Sequence, residues 1–180
     1  MYEIVIDIET TGLNILEDVP IELGYVVYYG REEINSGSFY IRPHRKHLPL
    51  NPQIVKITGI DEERLEKHGI STAEATQRWH NLVWRYQPCT LVGYNLLNFD
   101  FPMIQNWLAT YHSVRFKHPP IAKISDVMHM VGIAVKTRSW LKLREAAELL
   151  QVSFAEEDLH TALGDVRLTY KIYDKIREFA

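Results

Sequence analysis

Cysteine is nearly absent from this 180-residue chain. Cys89 stands alone, so no internal disulfide can form and a reducing cytoplasm fits best. The cysteine and the histidines match no zinc-binding spacing. No hydrophobic run approaches the length needed to span a bilayer, and the opening residues, MYEIVIDIE, lack the basic start of a signal peptide. No membrane partner is therefore expected. Excess positive charge is missing too: the net charge is −3, which argues against a broad electrostatic grip on a nucleic-acid duplex. An enzyme working on short ends stays compatible with that charge, because clustered carboxylates lower it and bound cations reverse the local field. There is no internal repeat, low-complexity run or long linker. The rest of the composition is ordinary, with 46% hydrophobic and 24% charged residues, and residues 1–180 read as a single domain able to bury a substantial core.

The pattern along the chain predicts an α/β fold. Tyr2 to Ile8, Ile21 to Tyr29 and Ser36 to Arg42 read as strands of an antiparallel meander, ended by Thr10-Thr11-Gly12, Gly30 and Pro43. The period then becomes helical over Thr72 to Tyr86, with Ser71 or Thr72 as its cap. Thr90 to Gly93 and Ile121 to Ser125 read as two further strands. Helices are predicted from Pro102 to Tyr111, Leu141 to Leu150 and Thr161 to Phe179. Three strands in a meander followed by alternating helix and strand give a sandwich around a mixed sheet.

Three acidic segments stand out at places where the chain should change direction. Asp7 and Glu9 lie two apart on the first strand and share one face, opposite Ile4, Ile6 and Ile8. A solvated sheet edge would look the same. Thr10, Thr11 and Gly12 can turn the chain sharply and present N–H groups and hydroxyls, with Leu13 as a wedge against a base; ordinary turn chemistry would use the same residues. Asp100 suits a metal ligand or a helix N-cap, Asn95 a ligand contact or a turn, and Phe99 a base-stacking surface or the core. His160 and Asp165 flank the first turn of the last helix, so both can reach one side of it. Four carboxylates and a histidine suit hard divalent cations, and paired cations are a common device for cleaving phosphodiesters. Asp126 and Glu22 read as structural acids, Asp126 as a cap. Two basic segments, residues 42–47 and 136–142, are either solvated loops or guides for a phosphate backbone, and Trp140 favours the second role for the latter.

The order and spacing of D-I-E-T-T-G-L, L-V-G-Y-N-x-x-N-F-D and H-T-A-L-G-D resemble the Exo I, Exo II and Exo III motifs of the DEDDh 3′→5′ exonucleases. This DnaQ-like family includes the proofreading epsilon subunit of DNA polymerase III, ribonuclease T and oligoribonuclease. The resemblance runs from residue 4 to about residue 172. Lys56 to Ile60 and Ser125-Asp126-Val127 are similar to further recurring elements of the family. A histidine at this distance before the last aspartate resembles the DEDDh branch, whereas the DEDDy branch has a tyrosine there. Tyr94 replaces a histidine found in many members, and D-I-E-T-T-G differs from the D-x-E-M-T-G form of oligoribonucleases. No tail follows the last predicted helix, so the polymerase- and clamp-binding extension of the proofreading subunit is not expected.

The resemblance implies a ribonuclease H-like sandwich with a central mixed five-stranded sheet flanked by helices. It also implies metal-dependent 3′→5′ exonuclease activity that releases nucleoside monophosphates from single-stranded nucleic acid, with DNA the first choice. The alternatives are an exoribonuclease of short RNA and a polymerase proofreading subunit. By the same resemblance, Asp7, Glu9, Asp100 and Asp165 would hold two Mg²⁺ or Mn²⁺ ions and His160 would be the general base. Asp7 would bridge the ions, Glu9 and Asp165 would complete one site, and Asp100 would serve the other. Thr10, Thr11, Gly12, Leu13, Asn95 and Phe99 would line the 3′-terminal nucleotide. The partners implied are 3′ ends of single-stranded DNA or RNA, with a homodimer and a polymerase partner left open. A binding module that has lost its acids is disfavoured, because every acid and the histidine are present.

Overall fold

Alternating apolar residues near the start leave each strand face with its own packing partner, and the whole architecture follows from that alternation. The computed structural model describes residues 1–111, 121–137, 139–155 and 161–178. Strand β1 (Tyr2–Thr10) pairs antiparallel with β2 (Pro20–Tyr29), and β2 pairs antiparallel with β3 (Glu32–Tyr40). On its other side β1 runs parallel to β4 (Cys89–Gly93), which runs parallel to β5 (Ile121–Asp126). The sheet order is β3-β2-β1-β4-β5, the mixed five-stranded sheet expected from the sequence.

One face of the sheet carries Ile4, Ile6, Ile8, Leu23 and Leu91. They pack against Trp79 and Val83 of α3 (Thr72–Arg85) and Met103, Ile104 and Trp107 of α4 (Asp100–Tyr111). The other face carries Val5, Val26 and Val92. They meet α5 (Val127–Ala134), α6 (Leu143–Leu149) and α7 (Ala162–Arg177). Two short helices, α1 (Pro52–Thr58) and α2 (Glu62–His68), close over the start of β2 through Leu50, Ile60, Leu65 and Ile21. No helix among the described residues is long and apolar enough to cross a membrane.

The start of α7 lies unusually close to β2. A Cβ on Gly24 would come within 2.8 Å of Ala162, so only glycine lets the helix seat there. Gly24 is the cross-strand partner of Asp7. The close approach thus brings the first turn of the last helix over the acidic end of β1.

Several boundaries differ from expectation. Strand β3 begins at Glu32 rather than Ser36, because Gly30, at φ 66°, and Arg31 close a tight hairpin straight after β2. Its first residues are polar because β3 is an edge strand, and Glu33 there pairs with Arg167 of α7 at 2.9 Å. Helix α4 begins at Asp100, two residues before Pro102. Helices α1, α2 and α5 were not expected. Each is eight residues or fewer, too short for a helical period to declare itself, yet each has its N-cap: Asn51, Asp61 and Asp126. Phe179, the expected end of the last helix, lies outside the described residues.

Candidate active site

In β1, Val5 faces the α7 layer, so Asp7 and Glu9 continue along that same face toward the strand's end. Asp165 sits in the first turn of α7, and its N–H donates to the Thr161 carbonyl at 2.9 Å. Thr161 caps the helix by accepting from the Gly164 N–H. The positive end of the helix dipole thus faces the acids of β1 and favours a carboxylate at Asp165. Asp7, Glu9 and Asp165 each offer an oxygen, and the three oxygens lie within 4.8 Å of one another.

Asp100 joins them from the other side of the sheet. Pairing between β1 and β4 ends at Val5 and Val92, which leaves the Ile8 N–H without a strand partner on that flank. The Asp100 carboxylate accepts from it at 3.2 Å, inside the protein. This bond fixes the carboxylate beside Asp7, and α4 continues from it.

The charges acting on Asp7 are Asp100, Glu9, Asp165 and Glu22, all carboxylates. Burial first, and then these neighbours, push the Asp7 carboxyl well above its ordinary range. Burial followed by the charges of Asp165 and Glu22 raises Glu9 to about 7. Asp100 is raised to about 7, again chiefly by burial, against the opposing pull of the hydrogen bond from Ile8. Such a set is badly placed as a group of bare anions and well placed as oxygen ligands for hard cations, so the residues present fit a divalent metal.

These shifts carry a test. Unfolded carboxylates titrate near about 4, so the folded protein retains protons that the unfolded chain has released. Stability without divalent cations is therefore expected to fall as pH rises from about 4 through about 7, the range over which Glu9 and Asp100 lose their protons. Added Mn²⁺ should raise the melting temperature more at about pH 8 than at about pH 5, where protons compete for the ligands. Melting curves across this range check it; an equal Mn²⁺ shift at both ends would contradict the cluster as a metal site.

The turn after β1 is tied to Asp18. The Thr11 hydroxyl donates to the Asp18 carboxylate at 2.8 Å and accepts from the Val19 N–H at 3.1 Å. The Asn14 N–H donates to the same carboxylate at 2.9 Å, and a Cβ on Gly12 would run into it. The hydroxyl of Thr10 donates to the Gly12 carbonyl. Thr10 and Thr11 are buried and spend their hydroxyls on the turn, while Leu13 is 80% exposed beside them. The sequence offers no sign of the role of Asp18.

The second motif is an equally braced turn. Asn95 takes a left-handed backbone (φ 57°), its carbonyl accepts from the N–H groups of Asn98 and Phe99, and its side chain accepts from Asn98. The Leu97 N–H donates to Asp126 at 2.9 Å. Asp126 also caps α5, accepting from the N–H groups of Met128 and His129, which bears out the structural reading of that acid. Phe99 is half-buried against the α3–α4 core. The hydroxyl of Tyr94, the departure from the family pattern, donates to the Leu141 carbonyl at 2.7 Å.

Glu22 is closer to the cluster than its structural reading implied. It is the cross-strand partner of Glu9, and it is buried. Register with Glu9 was the available signal, and it needs the strand pairing to be known. The basic segment 42–47 serves partly as structure: the Arg42 side chain donates to the carbonyls of Glu66 and Gly69. Lys46 and His47, however, line a polar depression together with Thr11 and Asp18. His160 and Arg138 lie outside the described residues.

Known proteins resemble this chain to different extents. The chain is 27% identical over 170 residues to a PolC-type DNA polymerase III of Mycoplasma genitalium, covering 94% of this chain and 11% of that protein. It is 26% identical to ribonuclease T of Buchnera aphidicola subsp. Baizongia pistaciae, covering 97% of this chain and 83% of that one. Among solved structures, E. coli Exonuclease I in complex with a dA16 oligonucleotide superposes with a TM-score of 0.78 at 21% identity, over 99% of this chain and 41% of that chain. The shared fold is the ribonuclease H-like sandwich expected above. The chain spans about a tenth of the PolC-type polymerases it matches and about two-fifths of the Exonuclease I chains. A family model described as Exonuclease (RNase_T) matches residues 4–173, and since that span takes in all three acidic motifs, this chain belongs to that family.

Proposed function

We propose that this chain is a metal-dependent 3′→5′ exonuclease that releases nucleoside monophosphates from the end of a single strand, with DNA the preferred strand. The observation that carries the reading is the convergence of Asp7, Glu9 and Asp165 from opposite ends of the chain, with Asp100 bonded to the backbone between the two β1 acids. In this reading the four carboxylates hold two Mg²⁺ or Mn²⁺ ions. When bound, such ions stabilise the charge that builds on the attacking and leaving oxygens of a phosphodiester. His160 takes the proton from the attacking water. The backbone of Thr10 to Leu13 and the turn from Asn95 to Phe99 flank the acids and seat the terminal nucleotide. Residues 1–180 work as one catalytic domain, and the single, buried Cys89 suits a reducing cytoplasm.

DNA is preferred because relatives named exodeoxyribonuclease I and Exonuclease I, the latter in complex with deoxyoligonucleotides, are among those the chain resembles. RNA is the second reading, because the ribonuclease T relative matches over 83% of its own length. A Mg²⁺-dependent time course on 5′-labelled single strands of each sugar type tests both. We expect a ladder shortening one nucleotide at a time from the 3′ end, faster for DNA. Internal cuts would overturn the exonuclease reading, and a faster ladder on RNA would reverse the substrate.

A further inference from the structure

Trp140 is 67% exposed and Ile133 is 79% exposed, and both line an open depression of about 530 Å³ beside α5. Met128 and His129 complete its wall, and Lys136 brings a cation to it; among the described residues, none of the lining side chains is acidic. This is an unusual amount of apolar surface to leave in water unless something covers it.

Side-chain contacts run from the depression to the turn that precedes Asp100. The last pair of the parallel strands, Gly93 with Asp126, places the start of α5 at the same end of the sheet as the turn from Asn95 to Asn98. The Asn98 amide lies 3.4 Å from His129 Nε2. The His129 ring in turn lies 5.2 Å from the Trp140 ring, tilted by 47°. Asp100, two residues after Asn98, is bonded to the Ile8 N–H between Asp7 and Glu9 and acts on the charge of Asp7.

We propose that this depression seats the bases of nucleotides upstream of the 3′ end, on the same single strand whose terminal phosphodiester lies at the acids. The proposal rests on the exonuclease reading. Its occupant follows from the chemistry of the lining. Every base offers a π-face to an exposed indole, and an ammonium beside that indole suits the phosphate that follows. In a chain of net charge −3, an aromatic site with a lysine at its rim and no acid among its described lining residues is complementary to a single strand. Stacking of this kind tolerates any base and either sugar, so the site contributes strand length dependence rather than sequence choice.

The test is a length series of deoxythymidine oligonucleotides from two to eight residues, with Mn²⁺, for wild type, Trp140→Ala, Trp140→Phe and Lys136→Glu. Trp140 is exposed, so its replacement leaves the core untouched. In wild type KM should fall as the strand lengthens. Trp140→Ala should raise KM for the octamer about tenfold, with kcat little changed, and flatten the length dependence. Trp140→Phe should restore most of the loss, and Lys136→Glu should raise KM while weakening its dependence on salt. An unchanged length dependence in Trp140→Ala would overturn the proposal. If wild type cleaves no oligonucleotide, the exonuclease reading fails separately. Fluorescence anisotropy of labelled octamer in EDTA then decides the site: weaker binding by Trp140→Ala sustains it, and equal binding overturns it.

Discussion

Asp7→Asn is expected to abolish turnover while raising the melting temperature of the metal-free protein. Asparagine keeps the shape of the side chain and removes the charge on which four other carboxylates press. Asp7 receives repulsion from Asp100, Glu9, Asp165 and Glu22, on top of the cost of burial. Removing it relieves all of these at once. A gain of about 1 kcal/mol would lift the midpoint by about 2–4 °C in a chain of this size. The loss of activity follows from the same charge. A cation contributes several kcal/mol to a developing anionic centre, and each ~1.4 kcal/mol is a factor of ten in rate, so a fall of about 10³-fold or more is expected. Mn²⁺ should then stabilise the variant far less than the wild type. Melting curves with and without Mn²⁺, beside rates on a labelled single strand, check both halves. A variant that melts lower, or still turns over, would remove Asp7 from the centre of the site. Opposed effects on stability and activity are what a strained functional cluster produces.

His160→Ala should leave divalent-dependent stabilisation intact and remove about 10²–10⁴-fold of the rate, the usual contribution of a positioned general base. The wild-type rate should fall below about pH 7 for two reasons, because the imidazole and the raised carboxylates of Glu9 and Asp100 gain protons in the same range. The two are separable. Excess Mn²⁺ competes with protons at the carboxylates and shifts that part of the profile to lower pH, whereas it leaves a histidine limb in place. In His160→Ala the limb that resists Mn²⁺ should be gone. Persistence of that limb in the variant, or full activity at neutral pH, would exclude the base role.

Much of the fold could be read from residue pattern because its central elements are long and regular. Alternation of isoleucine with acids in β1 correctly separated a core face from an acidic face. The helical period of α3 and its Ser71 cap were likewise visible. What stayed hidden was decided by contacts distant in sequence. The polar start of β3 makes sense only as an edge strand paired with Arg167. Asp100 looks like an ordinary helix-start acid until the strand geometry shows that the Ile8 N–H needs it. The order of the three motifs pointed to a shared centre, and the close seat at Gly24 is the physical reason the last of them reaches it. Asp18 gave no warning of its part in the turn, since its partners Thr11 and Asn14 are linked to it by a local loop without periodicity.

The split origin of the acid cluster also bears on how the chain is made. During synthesis Asp7 and Glu9 emerge first and Asp100 midway, but Asp165 exists only when the last helix is being added. The helix must then dock on Gly24 before its carboxylate faces the others. A growing chain on the ribosome, with messenger RNA close at hand, therefore carries ligands without a closed set. The set of acids closes only after α7 has emerged and docked, so the order of residues along the chain delays assembly of the cluster until then.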